Sequence, residues 1–451
     1  MARIPQSLER TTAKMFHSSP PASFGSRATE FSDWQPPRAR HGGGQREVVL
    51  VEACRTPFGR VGGALLGFTA QELGALAIKE LLSRLAGRIK PADIDYVFQG
   101  QVVTAGGGQI TGRQAAILAG IPPEVPGISL NKVCSSGLKA VDLAFQAIQL
   151  GRAEICLAGG QESMSNCPYG LPEMRFGVRM GLPDRPVEDL MVKDGLWCPF
   201  HDRHMAIHGS EVADEFGFTR EEQDDWAVHS QQAAGEAMRA GRLDEEIFPV
   251  LCGSGKKISI VDADEAPRPD TTREALAKLP PVFGHLSPVT GLPGSVTAGN
   301  APGINDGAGT CLLMSREKAD NLGLKPLCTI IDYAEVSRQP KDIAVVPGLA
   351  IRRLLQQNDL SLAEVDLLEI NEAFAAVVLV SGQAILGMSR EEMLARVNVN
   401  GGAIAYGHPI GASGARILMT LAYELKRRGG GLGVAGICSG AAQGDAILIK
   451  V

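Results

Sequence analysis

The sequence predicts an α/β protein of layered sheets, built by duplication and interrupted by a loop-rich insertion. Three observations carry this. Short apolar runs alternate with amphipathic helical stretches, as layered α/β folds require. One plan (turn, glycine-containing helix entry, amphipathic helix, Gly/Arg, strand) occurs twice, at NKVCSSGLKAVDLAFQAIQLG and at NGGAIAYGHPIGASGARILMTLAYEL. Between them, over 163–294, the texture changes to long loops with Pro, Asp, His and Trp. At 451 residues the chain is long enough for two or three domains.

Residues 1–46 stand apart. They hold seven basic residues against three acidic ones, a net of +4 out of an overall −6, which leaves the rest of the chain at −10. With two Pro-Pro pairs and Gly42-Gly43-Gly44, this stretch reads as a disordered tail. Its Arg- and Ser-rich, acid-poor composition also fits an organelle transit peptide, or an upstream start before Met15. The ordered body begins at REVVLVEACR, a buried strand. A helix over roughly 70–86, the strand VFQGQVV, the first cysteine turn with its helix, and the strand EICLAGG follow. In the insertion, one acidic helix spans 219–240, its acids at 221–225 biased to the N-terminal end of the dipole. The α/β rhythm resumes at SVTAGNAPGINDGAGTCLLMS and ends in LGVAGIC and a last strand.

Hydrophobic residues make up 44 % of the chain and aromatics only 5 %, so the cores are built from Ala, Val, Leu and Ile. The negative charge argues against a nucleic-acid partner, and no apolar run approaches the ~18 residues of a membrane span. Nine scattered cysteines form no CxxC pair and read as reduced, mostly buried thiols in a reducing, cytoplasmic setting, or in an organelle if the tail is a transit peptide.

Two of the repeated turns carry chemistry. Cys134 precedes a helix whose Leu138, Val141, Phe145 and Ile148 share one face, so it meets free backbone N–H groups that favour a thiolate. His408 precedes a helix with Ile417, Leu418, Leu421 and Leu425 on one face, and it can take the thiol proton if the turns meet. Cys438, in the glycine-rich turn GICSGAAQG, is a second thiol able to donate and accept a proton. Asn371, where LLEI gives way to a helix, can hold a water or donate to a carbonyl oxygen. His201, His204 and His208 fall on one face if their segment is helical, but no metal is expected. Gly106-Gly107-Gly108 lacks phosphate-loop spacing and reads as a turn into a helix.

With these residues in view, the sequence from about Arg46 to Val451 resembles the thiolases. NKVCSSGLKAV resembles their nucleophile motif, NEAFA their Asn motif, NVNGGAIAYGHPIGASGARI their His motif, and CSGAAQG their final Cys-x-Gly motif. The resemblance implies a duplicated five-layered α/β/α/β/α core with an inserted loop domain. Its halves would be 47–162 with 295–325, and 326–451, with 163–294 as the insertion. It implies that Cys134 is acylated, that His408 draws off its proton, and that Cys438 is the acid/base. One oxyanion hole would use His408 and a water held by Asn371, the other the backbone N–H groups of Cys134 and Gly440. Coenzyme A would be a substrate, with no cofactor bound permanently, and the chain would form a homodimer or homotetramer with no nucleic-acid or membrane partner.

For CoA and substrate binding the resemblance points to Met205, Tyr169, Ser295, Ala298, Gly299 and Pro302. The sequence departs from the pattern here. Pro302 replaces a serine that commonly contacts pantetheine, Tyr169 stands where acetoacetyl-specific members often have His, and Ala441-Ala442 replace two glycines. The implied reaction is thiolysis of a 3-oxoacyl-CoA, or the reverse condensation. The alternatives are a related condensing synthase, against which Cys438 argues, and a non-catalytic acyl-CoA-binding subunit.

Overall fold

The computed structural model describes residues 46–177, 186–253, 258–288 and 290–451. The expectations for the tail at 1–45 lie outside them. The first half of the core runs β1 (Val48–Arg55), α1 (Ala70–Arg84), β2 (Tyr96–Gly100), α2 (Thr111–Leu118), β3 (Gly127–Leu130), α3 (Ser136–Gln149) and β4 (Ile155–Ser163). The loop-rich stretch that follows contains α4 (Met205–Glu215) and α5 (Arg220–Arg239), and β5 (Asn305–Ser315) then returns to the sheet. The second half runs β6 (Cys328–Ser337), α6 (Val346–Gln357), β7 (Leu367–Ile370), α7 (Ser413–Arg427), β8 (Leu432–Ser439) and β9 (Gln443–Lys450).

Duplication is visible in the hydrogen bonding. The sheet order is β7-β8-β9-β6-β1-β5-β4-β2-β3. Counted by position within each half, the first half is ordered third-second-fourth-fifth-first. The second half repeats this order from its outer edge inward, with an isolated parallel bridge from Leu368 to Val397 in place of the third strand. Strand senses match as well: β2 with β4 and β7 with β8 are parallel, and the remaining pairs toward the centre are antiparallel. The halves join where Val48, Val49 and Leu50 of β1 pair with Ile330, Thr329 and Cys328 of β6.

Helices α1 and α2 cover the outer face of the first half, and α6 covers the second. Helices α3 and α7 lie between, which completes the α/β/α/β/α layering. Both apolar stripes predicted for α3 and α7 enter one buried cluster, together with Val48 and Leu50 of β1 and Ile437 of β8. Helix α1 turns Leu73, Ile78 and Leu81 into a second cluster with Val49 and Val51. Close approach of the central helices depends on missing side chains: a Cβ on Gly414 would lie 2.2 Å from the Leu138 nitrogen. The loop-rich stretch is fastened to β1 by buried Arg55, which grips Asp264 through two nitrogens (2.7 and 2.9 Å) and Glu246 through Nε (2.7 Å). Helix α5 starts at a capping box between Thr219 and Glu222, so its acidic first turn is a helix start, as the sequence suggested.

Candidate active site

Cys134 occupies the tight turn between β3 and α3. Its predecessor Val133 holds φ 44°, a conformation that a β-branched side chain rarely adopts. The strain is held in place from both sides. The Val133 N–H donates to Asn131 Oδ1 (2.9 Å), and its carbonyl accepts from the Ser136 hydroxyl (2.6 Å) and the Ser136 N–H (3.0 Å). A cleft of about 410 Å³ opens beside this turn, between Gln101, Thr104, Thr111 and Asn131.

The His408 turn faces it across the helix entries. A Cβ on Gly137, in the first turn of α3, would lie 2.9 Å from the Gly411 oxygen, and one on Gly160 only 1.9 Å away. Glu162, fully buried, accepts N–H bonds from Gly411 (3.0 Å), Val102 (2.9 Å) and Val103 (3.2 Å), so one carboxyl joins the His408 turn to the first half. Gly160→Ala is therefore expected to push the two turns apart. It should cost about 1–3 kcal/mol of stability from overpacking and roughly 10²-fold in activity from the misplaced imidazole. Urea midpoints and initial rates measure both, and an unchanged variant would show that the turns tolerate separation.

The protonation pattern of His408 follows from its neighbours. The Ser413 hydroxyl donates to the Pro409 carbonyl (2.9 Å), so its oxygen accepts the His408 Nδ1–H at 2.6 Å. Nε2 then keeps its lone pair, facing the Asn371 amide nitrogen at 3.4 Å. Asn371 is in turn oriented from behind: Arg416 donates to its Oδ1 (3.3 Å) and pairs with Glu369 (3.1 Å). All three are buried. Burial, with the Arg416 charge second, pushes His408 down to about 3, so the ring is neutral at physiological pH.

Cys438 stands near the end of β8, beside the Cys134 turn. The Ser439 hydroxyl donates to the Lys132 carbonyl, and a Cβ on Gly440 would lie 3.1 Å from Val133 Cγ2. The β8–β9 turn is thus clamped onto the Cys134 turn. Burial pushes the Cys438 thiol well up, and charge on Cys134 adds to the rise.

Here the structure corrects the thiolate expected at Cys134. Burial pushes that thiol up to about 12, outweighing the backbone N–H contribution that lowers it. A helix terminus supplies only fractional charge, whereas loss of water penalises the whole thiolate. The free protein is therefore expected to react with iodoacetamide about tenfold faster per pH unit from 7 to 9, without a plateau. A plateau near neutrality in the alkylation rate of Cys134 would show a resident thiolate.

Ala441 and Ala442 both sit at positive φ, 59° and 50°. The turn has kept a left-handed shape that glycine adopts without strain. Relief of about 1–2 kcal/mol, less the ~0.4–1 kcal/mol of entropy that a glycine adds to the unfolded chain, predicts a modest gain for Ala441→Gly. Ala442 is different, since its fully buried methyl would be lost. Denaturation midpoints test this, and a lower midpoint for Ala441→Gly would contradict it.

Met205 and Ser295 fall together. Met205 opens α4 and is buried, and Ser210 on the same helix accepts the Ser295 and Val296 N–H groups, each at 3.1 Å. Ser295 Oγ is buried without a hydrogen-bond partner among the described residues. Gly209 of α4 packs against Phe374, three residues beyond Asn371. Ala298 is exposed, and Gly299 and Pro302 are half-buried in the segment that follows. Tyr169, 67 % exposed, lies on a separate short strand pair, Tyr169–Gly170 with Glu188–Asp189.

Sequence reading missed Ser413, Arg416, Glu369 and Glu162, and offered only a helix cap for Glu372. The last is fully buried and accepts from Trp226 (2.9 Å), Ser230 (2.7 Å), Asn398 (3.1 Å) and the Ile404 N–H (2.9 Å), bracing the Asn371 loop against α5. A charge inside an otherwise apolar strand or helix stripe, as in LLEI or GARIL, was the available signal.

Residues 48–317 match the thiolase N-terminal domain family, and 324–451 the thiolase C-terminal domain family. An acetyl-CoA acetyltransferase of Pseudomonas aeruginosa is 48 % identical over 90 % of this chain and 99 % of its own length. One from Cupriavidus necator is 47 % identical, and a probable acetyl-CoA acetyltransferase of Escherichia coli K12 is 46 % identical, each with the same coverage. The crystal structure of the Bacillus anthracis acetyl-CoA acetyltransferase superimposes with a TM-score of 0.84 at 39 % identity, covering 91 % of this chain and 100 % of the other.

Proposed function

Because the chain belongs to the thiolase family, we propose that its buried Cys134, His408, Asn371 and Cys438 divide the work of acyl transfer. The enzyme is an acetyl-CoA C-acyltransferase. It cleaves a 3-oxoacyl-CoA with coenzyme A to acetyl-CoA and a shortened acyl-CoA, or runs the reverse condensation.

In the proposed sequence, His408 Nε2 takes the Cys134 proton as sulfur attacks the 3-oxo carbon. The bond between C2 and C3 breaks, its electron pair leaving as the acetyl-CoA enolate, and Cys438 delivers a proton to C2. The proton on His408 passes back to the Cys438 thiolate, and the thiol of incoming CoA then gives its own proton to His408 as it attacks the acyl-sulfur carbonyl. The new thioester leaves, and Cys134 recovers the proton held on His408. The Cys134 and Gly440 N–H groups, and His408 with a water on Asn371, would meet the oxygens where negative charge develops. No permanently bound cofactor enters this scheme.

The observation that carries this assignment is the committed Nδ1 of His408, which leaves the Nε2 lone pair of a buried ring, held at 3.4 Å from the Asn371 amide, as the base. Incubation with acetoacetyl-CoA, quenched and analysed by mass spectrometry, should show an acetyl group on Cys134. An adduct elsewhere, or none, would overturn the assignment. A rate profile across 3-oxoacyl chain lengths would then give the preferred substrate, and the Pro302 and Tyr169 departures favour one other than plain acetoacetyl-CoA in this proposal. We place the enzyme in the cytoplasm as a homodimer or homotetramer with a degradative role. No helix among the described residues is long and apolar enough to cross a membrane.

A further inference from the structure

Outside the acyl-transfer site, Cys198, His201 and His208 converge. Cys198 ends the short strand Trp197–Cys198, paired with Arg203–His204. Asp202, at φ 50°, closes the hairpin and accepts the Trp197 indole N–H at 3.0 Å. This frame sets Cys198 Sγ 3.6 Å from His201 Nδ1. His208 arrives from the first turn of α4, its ring centre 4.9 Å from that of His201. One ligand atom from each of the three lies within 4.8 Å of the others.

His208 is the second, independent observation. It is 1 % exposed, and its Nε2 has no hydrogen-bond partner among the described residues. Nδ1 faces Glu211 Oε2 at 3.5 Å. A buried imidazole nitrogen left without a partner is costly, and an ion bound at Nε2 would satisfy it. The helical face expected for His201, His204 and His208 does not form. His204 instead caps α4 by accepting the Ala206 N–H (3.1 Å) and packs on Phe283, and Cys198 takes the place in the cluster that the sequence pattern gave to His204.

We propose that Cys198, His201 and His208 bind one divalent cation of the zinc class. Around tetrahedral zinc, with sulfur at ~2.3 Å and nitrogen at ~2.0–2.1 Å, the sulfur–nitrogen edge is about 3.6 Å. The Cys198–His201 separation already has that length. Glu211 stands behind Nδ1 of His208, where a carboxylate orients a metal-binding imidazole and leaves Nε2 for the ion. One thiolate and two imidazoles favour zinc over magnesium or calcium. Cys198 loses its proton to solvent on binding, and the exposed side of His201 leaves the fourth position to water. The ion would fasten the hairpin to α4, beside Met205, and takes no part in acyl transfer.

Full-length protein stripped with a chelator and reloaded tests this. Elemental analysis should find one Zn²⁺ per chain, and Co²⁺ in its place should show a thiolate-to-cobalt charge-transfer band. Cys134, His408 and Cys438 offer a rival thiol–imidazole set, so the variants decide between them. Cys198→Ser and His201→Asn should abolish the band or weaken metal affinity by about tenfold or more. Cys134→Ser should retain both the metal and the band. His201 is exposed, so its variant reads out even if Cys198→Ser fails to fold. A band lost in Cys134→Ser and kept in His201→Asn, or no stoichiometric binding in the parent protein, overturns the proposal.

Discussion

Cys134→Ser is expected to fold normally, accept no acyl group and lose about four orders of magnitude in thiolysis. Serine is nearly isosteric with cysteine, so the Val133 turn and its hydrogen bonds remain. What changes is the demand on the base. His408 is held near 3 by burial and the Arg416 charge, so it is a weak proton acceptor in the resting site. A thiol pushed up to about 12 can still react, because sulfur is strongly nucleophilic and its proton transfers as attack proceeds. A hydroxyl holds its proton far more tightly and gains less from the same imidazole. Stopped-flow thiolysis and intact-mass spectrometry give the two readouts. An acylated serine with near-normal turnover would remove Cys134 from its proposed role.

Cys438→Ser is expected to split the cycle. Acetyl-CoA can still acetylate Cys134 and release CoA, because that half involves no carbon–carbon bond. Cleavage of a 3-oxoacyl-CoA should fall by about 10²–10⁴-fold, the usual range for a lost general acid. The enolate carbon must be protonated from a group already in place, and Cys438 is fully buried in the turn clamped onto the Cys134 turn. If the variant cleaves substrate at the parent rate, proton transfer belongs to another group. Glu162, which burial pushes up to about 8, would be the first to examine, although its oxygens are committed to three backbone N–H groups.

Much of the scaffold was legible because local patterns encode it. The helical stripes 138-141-145-148 and 417-418-421-425 become the two central helices, and each enters the same buried cluster. The matching plans around Cys134 and His408 become one strand order used twice. The histidine spacing at 201–208 misled. It depended on a helix where a hairpin runs into a helix cap, so His204 caps α4 instead of sharing a face with His201 and His208.

The sequence by itself determined which elements form and which residue types stand at the turns, because helix and strand periodicity are short-range properties of the chain. Tertiary structure alone decided the chemical state of those residues. The thiol of Cys134 is protonated because packing removes water from it. The tautomer of His408 is set by Ser413, and the direction of Asn371 by the buried Arg416–Glu369 pair. Cys438 meets Cys134 because Ser439 and Gly440 clamp onto Lys132 and Val133, more than three hundred residues earlier in the chain. Solvation and long-range hydrogen bonding depend on which distant segments meet, and no local pattern records that.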